Sequence, residues 1–245
     1  MTIETDPSIP LYIQIKDYLH QQIKQGVYSI GERLPSEREL SQMFKVSRMT
    51  ARQALQSMVQ EGIAHTRAGK GTYVRPPIID REIRSLTSFS QEMKNRGLTH
   101  SSLVLEAFVR PADYEIASLL KIHPNSEIVL LSRVRIASGQ PLAIETAYLV
   151  HSMCPGILEK HDFGKESLYE VLRNDFGWIL SWADQTIEAR LPLSCERKLL
   201  GINNRIPVLS MNRITFTNHN VPIEYVRSTY RGDRYQLHTI LRTLI

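Results

Sequence analysis

The sequence predicts an α+β chain of two domains. Residues 1–77 read as three helices closed by a β-hairpin, and residues 78–245 as a larger α+β domain around an antiparallel sheet. Three observations predict this. Apolar residues recur at helical spacing, with capping residues between the runs, as far as Gly62. Two short β-runs then flank Ala68-Gly69-Lys70-Gly71, and Pro76-Pro77 follows. Beyond those prolines, one helix–strand–turn–strand pattern occurs twice.

In the first domain, Leu11, Ile15, Leu19 and Ile23 stand four apart. They form one stripe of an amphipathic helix opened by Pro10 and closed by Gly26. A short extended piece ends at Leu34-Pro35. Ser36 and Glu39 make a capping box for a second helix, whose expected buried face is Leu40, Met43 and Phe44. Lys45-Val46 makes the turn. Ser47 caps a third helix running to about Glu61, with Ala51, Leu55 and Met58 toward the core and Ala54 and Val59 beside them. Gly62 stops it. Ile63–Thr66 and Thr72–Arg75 read as the strands of the hairpin. A tight turn between the second and third of three helices, followed by a hairpin, is the winged helix-turn-helix pattern. Pro76-Pro77 cannot continue a strand ladder and marks a stiff linker.

In the second domain, Leu120 precedes Arg133 by the same interval that separates Leu200 from Arg213. Each copy then has a turn, Ser138-Gly139-Gln140 or Asn218-His219-Asn220, and returns through Ile144-Glu145 or Ile223-Glu224. Equal spacing and matching turns predict a pseudo-symmetric domain, with a ligand site between the halves as a natural place for one.

Composition narrows the function. Hydrophobic residues make up 42% of the chain, enough for real cores. No apolar run approaches the ~20 residues that span a bilayer. Met1 to Pro10 carries Glu4 and Asp6 and no Lys or Arg, the reverse of a secretion signal, so a cytoplasmic site of action beside the nucleoid is expected. Cys154 and Cys195 read as buried thiols, and the histidines have no metal-ligand spacing, so no cofactor or metal is expected. There is no Gly-x-Ser-x-Gly, His-Glu-x-x-His or dinucleotide fingerprint, and Gly69-Lys70 lacks the rest of a phosphate loop. No catalytic residue is expected. The formal charge is +5. Between Phe44 and Arg75, six cations face Glu61 alone, which accounts for that whole excess. A local basic field of this kind suits a polyanion.

The third helix opens Arg48-Met49-Thr50-Ala51-Arg52. Arg48 and Arg52 place two guanidinium forks one turn apart, Thr50 adds a hydroxyl, and the free amides near Ser47 add an anion site. Leu34-Pro35-Ser36-Glu37-Arg38-Glu39-Leu40, Val46-Ser47-Arg48-Met49-Thr50-Ala51-Arg52-Gln53-Ala54-Leu55 and Gly69-Lys70-Gly71-Thr72-Tyr73-Val74 resemble the GntR superfamily of bacterial regulators over the whole first domain. The resemblance implies double-stranded operator DNA as partner. It assigns DNA contacts to Arg38, Arg48, Thr50 and Arg52, and to a wing tip at Gly69 and Lys70. Met49 and Ala51 depart from the Thr and Val common in the family, and both read as packing changes.

The second domain resembles the UTRA ligand-sensing domain of the HutC-type branch, which is similar in fold to chorismate lyase. The resembling stretches are Leu86-Thr87-Ser88-Phe89-Ser90, Arg133-Val134-Arg135, Ile144-Glu145, Ser167-Leu168-Tyr169 and Tyr230-Arg231-Gly232-Asp233-Arg234-Tyr235. The last is close to repressors of N-acetylglucosamine use. That resemblance implies a homodimer and a small anionic effector, most closely a phosphorylated aminosugar. A carboxylate, amino-acid-pathway or fatty-acyl effector is the alternative. An enzyme on this fold and an all-helical metal-binding sensor are more remote ones. The residues agree on several points. Leu86 to Ser90 opens a helix whose amides and hydroxyls can cradle an anion, with the phosphate expected over Thr87–Phe89. Arg133 and Arg135 share a strand face. If Ser138-Gly139-Gln140 is a three-residue hairpin loop, Glu145 lies opposite Arg133. That pair reads either as ligand groups or as a cross-strand ion pair on a solvent face. Glu224 and Tyr230, six apart, share a face if their strand is unbroken. Tyr230-Arg231-Gly232-Asp233 also reads as a turn with a local ion pair.

Overall fold

A computed structural model describes residues 8–75, 78–82 and 85–241. The chain divides into two compact units, Met1–Ile78 and Ile79–Ile245. The expected linker Pro76-Pro77 lies outside the described residues.

The first unit contains α1 (Leu11–Lys24), α2 (Glu37–Phe44), α3 (Arg48–Gln60) and the antiparallel hairpin β1 (Ala64–Arg67) and β2 (Gly71–Val74). The capping box is made in full: Ser36 Oγ accepts from the Glu39 amide, and Glu39 Oε2 accepts from the Ser36 amide at 2.6 Å. Lys45, in the left-handed region at φ 51°, ends α2 and turns the chain into α3. Ile15, Leu19, Leu40, Ala51, Ala54, Leu55 and Met58 pack into one core with Leu34, Ala64 and Val74. Two residues expected in that core are exposed. Leu11 sits at the first residue of α1, and Met43 lies on the outer side of α2. The hairpin strands begin at Ala64 and Gly71, each one residue earlier or later than the β-runs suggest.

The second unit begins with β3 (Ile79–Glu82) and continues through α4 (Phe89–Asn95), β4 (His100–Pro111), α5 (Tyr114–Leu120), β5 (Glu127–Ala137) and β6 (Gln140–Val150). Next come a short 3-10 turn, α6 (Ile157–Lys160), α7 (Leu168–Asn174), β7 (Leu180–Arg190), α8 (Ser194–Leu200), β8 (Val208–Thr217), β9 (Pro222–Arg231) and β10 (Tyr235–His238). Six strands form one antiparallel sheet in the order β4-β5-β6-β9-β8-β7. The repeat is therefore longer than its sequence echo. Both α4-β4-α5-β5-β6 and α7-β7-α8-β8-β9 follow one order, and β6 pairs with β9 at the centre.

The sheet is covered on both faces. Residues Ile116, Ala117 and Leu120 of α5 pack on Ile128, Leu130, Tyr148 and Tyr225, while Leu200 of α8 packs on Val208. On the other face, α7 packs Leu168, Val171 and Leu172 against Val129, Leu131, Ala147 and Val226. There α4 packs Phe89 and Met93 against Ala143, Met211 and Tyr230. Strand β3 runs parallel to β10 and is tied to α4, because Arg81 lies 3.7 Å from Glu92, whose Oε2 also accepts from Tyr235 at 3.0 Å. Cys154 is buried, as expected, but Cys195 in the first turn of α8 is exposed. Among the described residues no helix is long and apolar enough to cross a membrane, and no cluster of acids, His and Cys could hold a metal ion.

Candidate functional site

The first unit presents a groove of about 410 Å³ between the start of α3, the start of α2 and the hairpin. Arg38, Arg48, Arg67 and Gly69 line it. Arg38, Ser47, Arg48, Arg52, Gly69 and Lys70 are all exposed. Ser47 accepts from the Thr50 amide at 3.1 Å, and its hydroxyl also meets that of Thr50 at 2.9 Å. Thr50 is half-buried and helps hold the cap, so its hydroxyl is shared between the helix start and any ligand. Arg52 points toward Glu37 at 4.0 Å, a loose exposed pair that leaves its fork available. Arg67, beside the wing tip, stacks over Tyr73. Ala51 is in the core, as a packing change would be. Met49 is not: it is 70% exposed between the two arginines.

The second unit carries a polar seam between the two apolar clusters under α4 and α7. Four strands contribute to it. Arg133 on β5 lies opposite Glu145 on β6, Glu145 opposite Ser228 on β9, and Arg213 on β8 opposite Val226. These residues, with Glu224, share one face. The Arg133–Glu145 register has a different origin from the one expected. Ser138 and Gly139, both at positive φ, form a two-residue turn that pairs Ala137 with Gln140. An irregularity after Arg135 then brings Arg133 back opposite Glu145. Glu224 is set two residues along, opposite Thr215 rather than Arg213.

The consequences are chemical. Arg133 Nη2 donates to Glu145 Oε1 at 2.5 Å, and Arg133 is only 2% exposed. The pair is thus a buried one, not an ion pair on a solvent face. Glu224 accepts instead from Tyr169 and Thr215, each at 2.9 Å. Arg135 donates to Ser102 at 2.9 Å and to Ser90 at 3.3 Å and lies over the Phe89 ring. Ser167 donates to Ser88 at 3.4 Å. Buried nitrogens remain without hydrogen-bond partners among the described residues: Nε and Nη1 of Arg133, Nε of Arg135 and Nε of Arg213. Buried donors are rarely left so unless something else takes them. Burial by itself would raise the Glu145 carboxyl, but Arg135, Arg133 and Arg213 outweigh it and hold the pKa at about 2. Burial, then Arg133, lowers Arg135 to about 10, still charged at neutral pH. Burial opposes charge on Arg213 too, yet Tyr169 and Glu224 raise its pKa. Burial raises Glu224. Three cations thus face two carboxylates around a space of about 20 Å³, room for about one water molecule. The excess charge and free donors suit an anion.

Residues 11–74 match the family described as bacterial regulatory proteins, gntR family. Residues 95–236, more than half the chain, match the UTRA domain. The chain belongs to the GntR family of regulators that carry a UTRA domain. The HTH-type transcriptional repressor NagR of Bacillus subtilis is 35% identical over 96% of each chain. The mannosyl-D-glycerate transport/metabolism system repressor MngR of Escherichia coli is 30% identical over 93% of this chain and 94% of its own. The crystal structure of PhnF from Mycobacterium smegmatis superposes with a TM-score of 0.74 at 28% identity, covering 94% of this chain and all of that one. This GntR protein is a DNA-binding transcription regulator with a ligand-binding domain.

Within the second unit, the seam brings together Ser88, Phe89, Arg133, Arg135, Glu145, Ser167, Tyr169 and Glu224. Three residues expected there stand elsewhere. Helix α4 starts only at Phe89, so Leu86 and Thr87 precede it; Leu86 lines a neighbouring cleft and Thr87 lines neither space. Tyr230 shares the sheet face with Glu224 but sits opposite Ala143, its ring 4.2 Å from that of Tyr235. Arg231 and Asp233 form the local ion pair of a turn, at 2.9 Å. Arg213 was not among the expected site residues, although the repeat signal that aligns it with Arg133 could have found it.

Proposed function

We propose that this regulator is a HutC-type repressor, acting in the cytoplasm on nucleoid DNA as a homodimer and released or retained by a phosphorylated sugar or aminosugar. The observation that carries the effector reading is the set of unpartnered buried guanidinium nitrogens around one seam. Phosphate oxygens accept several such donors at once, each charge-assisted hydrogen bond contributing roughly 1.5–3 kcal/mol. Arg133, Arg135, Ser88 and Ser167 take the phosphate. Glu145 and Glu224 take a hydroxyl or amine of the ring, Glu224 with the Tyr169 hydroxyl beside it. Tyr230, on the same face but opposite Ala143, stands apart from the ligand. A space of about 20 Å³ must open for such a ligand, so effector and open seam are linked. DNA affinity then shifts only by the effector's unequal affinity for two arrangements of the protein.

On the DNA side, Arg48 and Arg52 read base edges or phosphates, Arg38 and Lys70 hold the backbone, and the Gly69 tip enters a groove. A carboxylate effector is the second reading, because MngR is named for mannosyl-D-glycerate. Isothermal titration of glucosamine 6-phosphate and of glucosamine separates them. The phosphate reading requires that only the phosphorylated sugar bind, and that Arg133→Ala abolish its effect while operator affinity stays near normal. Equal action of both sugars overturns it.

A further inference from the structure

Arg213 borders two spaces. One is the seam; the other is a cleft of about 260 Å³ that shares Arg213 in its lining, with Arg81, Leu86, Ser181, Ala183 and Gln185 among the rest. The cleft dwarfs the seam, and it lies along β7, the edge strand of the sheet. Gln185 stands directly opposite Arg213 in the β7–β8 ladder, half-buried, and its amide has no hydrogen-bond partner among the described residues. Arg213 makes no ion pair among the described residues. The reason is the two-residue offset that sets Glu224 opposite Thr215. Its mate in the repeat, Arg133, is locked to Glu145. The two halves of the domain therefore differ at one point: the first-half arginine closes its side of the seam, and the second-half arginine is left to serve both spaces. Arg81, itself paired with Glu92 at 3.7 Å, adds a second guanidinium to the cleft, and Ser181 and Gln185 add neutral polar groups. Such a lining favours a hydroxylated group over an aliphatic chain.

We propose that the cleft beyond Arg213 is a second compartment of the effector site, and that it takes a further sugar or equally polar substituent carried by the phosphosugar. This rests on the phosphosugar reading of the seam. The effector class becomes a glycosyl-extended sugar phosphate. Its phosphorylated ring sits in the seam, its substituent hydrogen-bonds to Gln185, and Arg213 lies between them. Ala183, whose short side chain leaves the cleft open, sets how much can enter.

Isothermal titration with two probes sharing one head group tests this: glucosamine 6-phosphate and chitobiose 6′-phosphate, on the full chain, on Ala183→Leu, on Gln185→Ala and on Arg133→Ala. The disaccharide phosphate is expected to bind the unaltered protein roughly tenfold tighter, the effect of one added hydrogen bond to a charged or polar partner. Ala183→Leu should erase that advantage while leaving glucosamine 6-phosphate within about twofold, and Gln185→Ala should reduce it. Equal affinity of the two probes for the unaltered protein overturns the proposal. So does an Ala183→Leu effect of the same size on both probes, or an advantage that survives both cleft substitutions. Loss of both ligands in Arg133→Ala supports the seam whatever happens at the cleft. Unchanged binding of both in that variant overturns the phosphosugar reading itself, and the two-compartment site with it.

Discussion

Ser88 and Ser167 meet hydroxyl to hydroxyl at 3.4 Å, and each caps the helix that follows it, α4 or α7. They come from corresponding points of the two halves of the repeat, so the polar seam lies where the halves face each other. An anion bound there, as proposed, would draw on both halves at once: Arg133 and Arg135 from the first and Arg213 from the second. On that proposal, ligand binding is coupled to how α4 and α7 sit together. Through Glu92, α4 is in turn tied to Arg81 and Tyr235 of the β3–β10 pair.

The start of α3 should dominate operator recognition. Arg48→Ala and Arg52→Ala are each expected to weaken specific binding by about 1–3 kcal/mol, the contribution of one bidentate base contact. Fluorescence anisotropy with an operator duplex at fixed salt measures it. Unchanged affinity in both variants would remove the recognition-helix assignment.

Two half-sites require two winged helices. A homodimer reading a two-fold operator is expected, since linking two small interfaces multiplies affinity. Sedimentation at micromolar concentration should show a species twice the 28.1 kDa chain. A purely monomeric boundary would refute the dimer.

Glu145 and Glu224 should respond to acid in opposite directions. Folding lowers the Glu145 pKa to about 2. Its contribution, on the order of 3 kcal/mol, is present above the ordinary value near ~4.3 and is lost as pH falls toward 2. Folding raises the Glu224 pKa. Its contribution is present at low pH and is lost as pH rises through the raised value. Thermal unfolding from pH 2.5 to 7 should therefore show a shallower acid limb in Glu145→Gln and a steeper one in Glu224→Gln. Slopes that move the same way would contradict the assigned environments.

Gly232 admits no side chain. A Cβ there would lie 2.7 Å from the Pro207 carbonyl oxygen, which is backbone and cannot swing aside. The same oxygen accepts from the Gly232 amide at 2.9 Å. Gly232→Ala should destabilise the second unit by about 1–3 kcal/mol, the range of an overpacked site. A urea midpoint equal to that of the unaltered protein would show that the loop relaxes freely.

Local chemistry was legible from the sequence alone. The Ser36–Glu39 capping box, the Ser47 cap, the hairpin around Gly69 and the paired arginines of α3 depend on contacts within a few residues, so spacing and residue type determine them. Shared faces of single strands were legible for the same reason. Where strands from distant parts of the chain meet was decided only by the tertiary structure. Glu224 stands opposite Thr215 because the β8–β9 register shifts beside it, and Tyr230 is taken up by Tyr235, which β10 delivers from beyond the repeat. Met43 and Met49 look alike as apolar letters in helices, yet both are exposed while Met58 is buried, because helix orientation about the core selects one face. Arg213 gained its place in the same way. Its position in the repeat could be read along the chain, but that it makes no ion pair among the described residues follows from a register set by packing across the sheet.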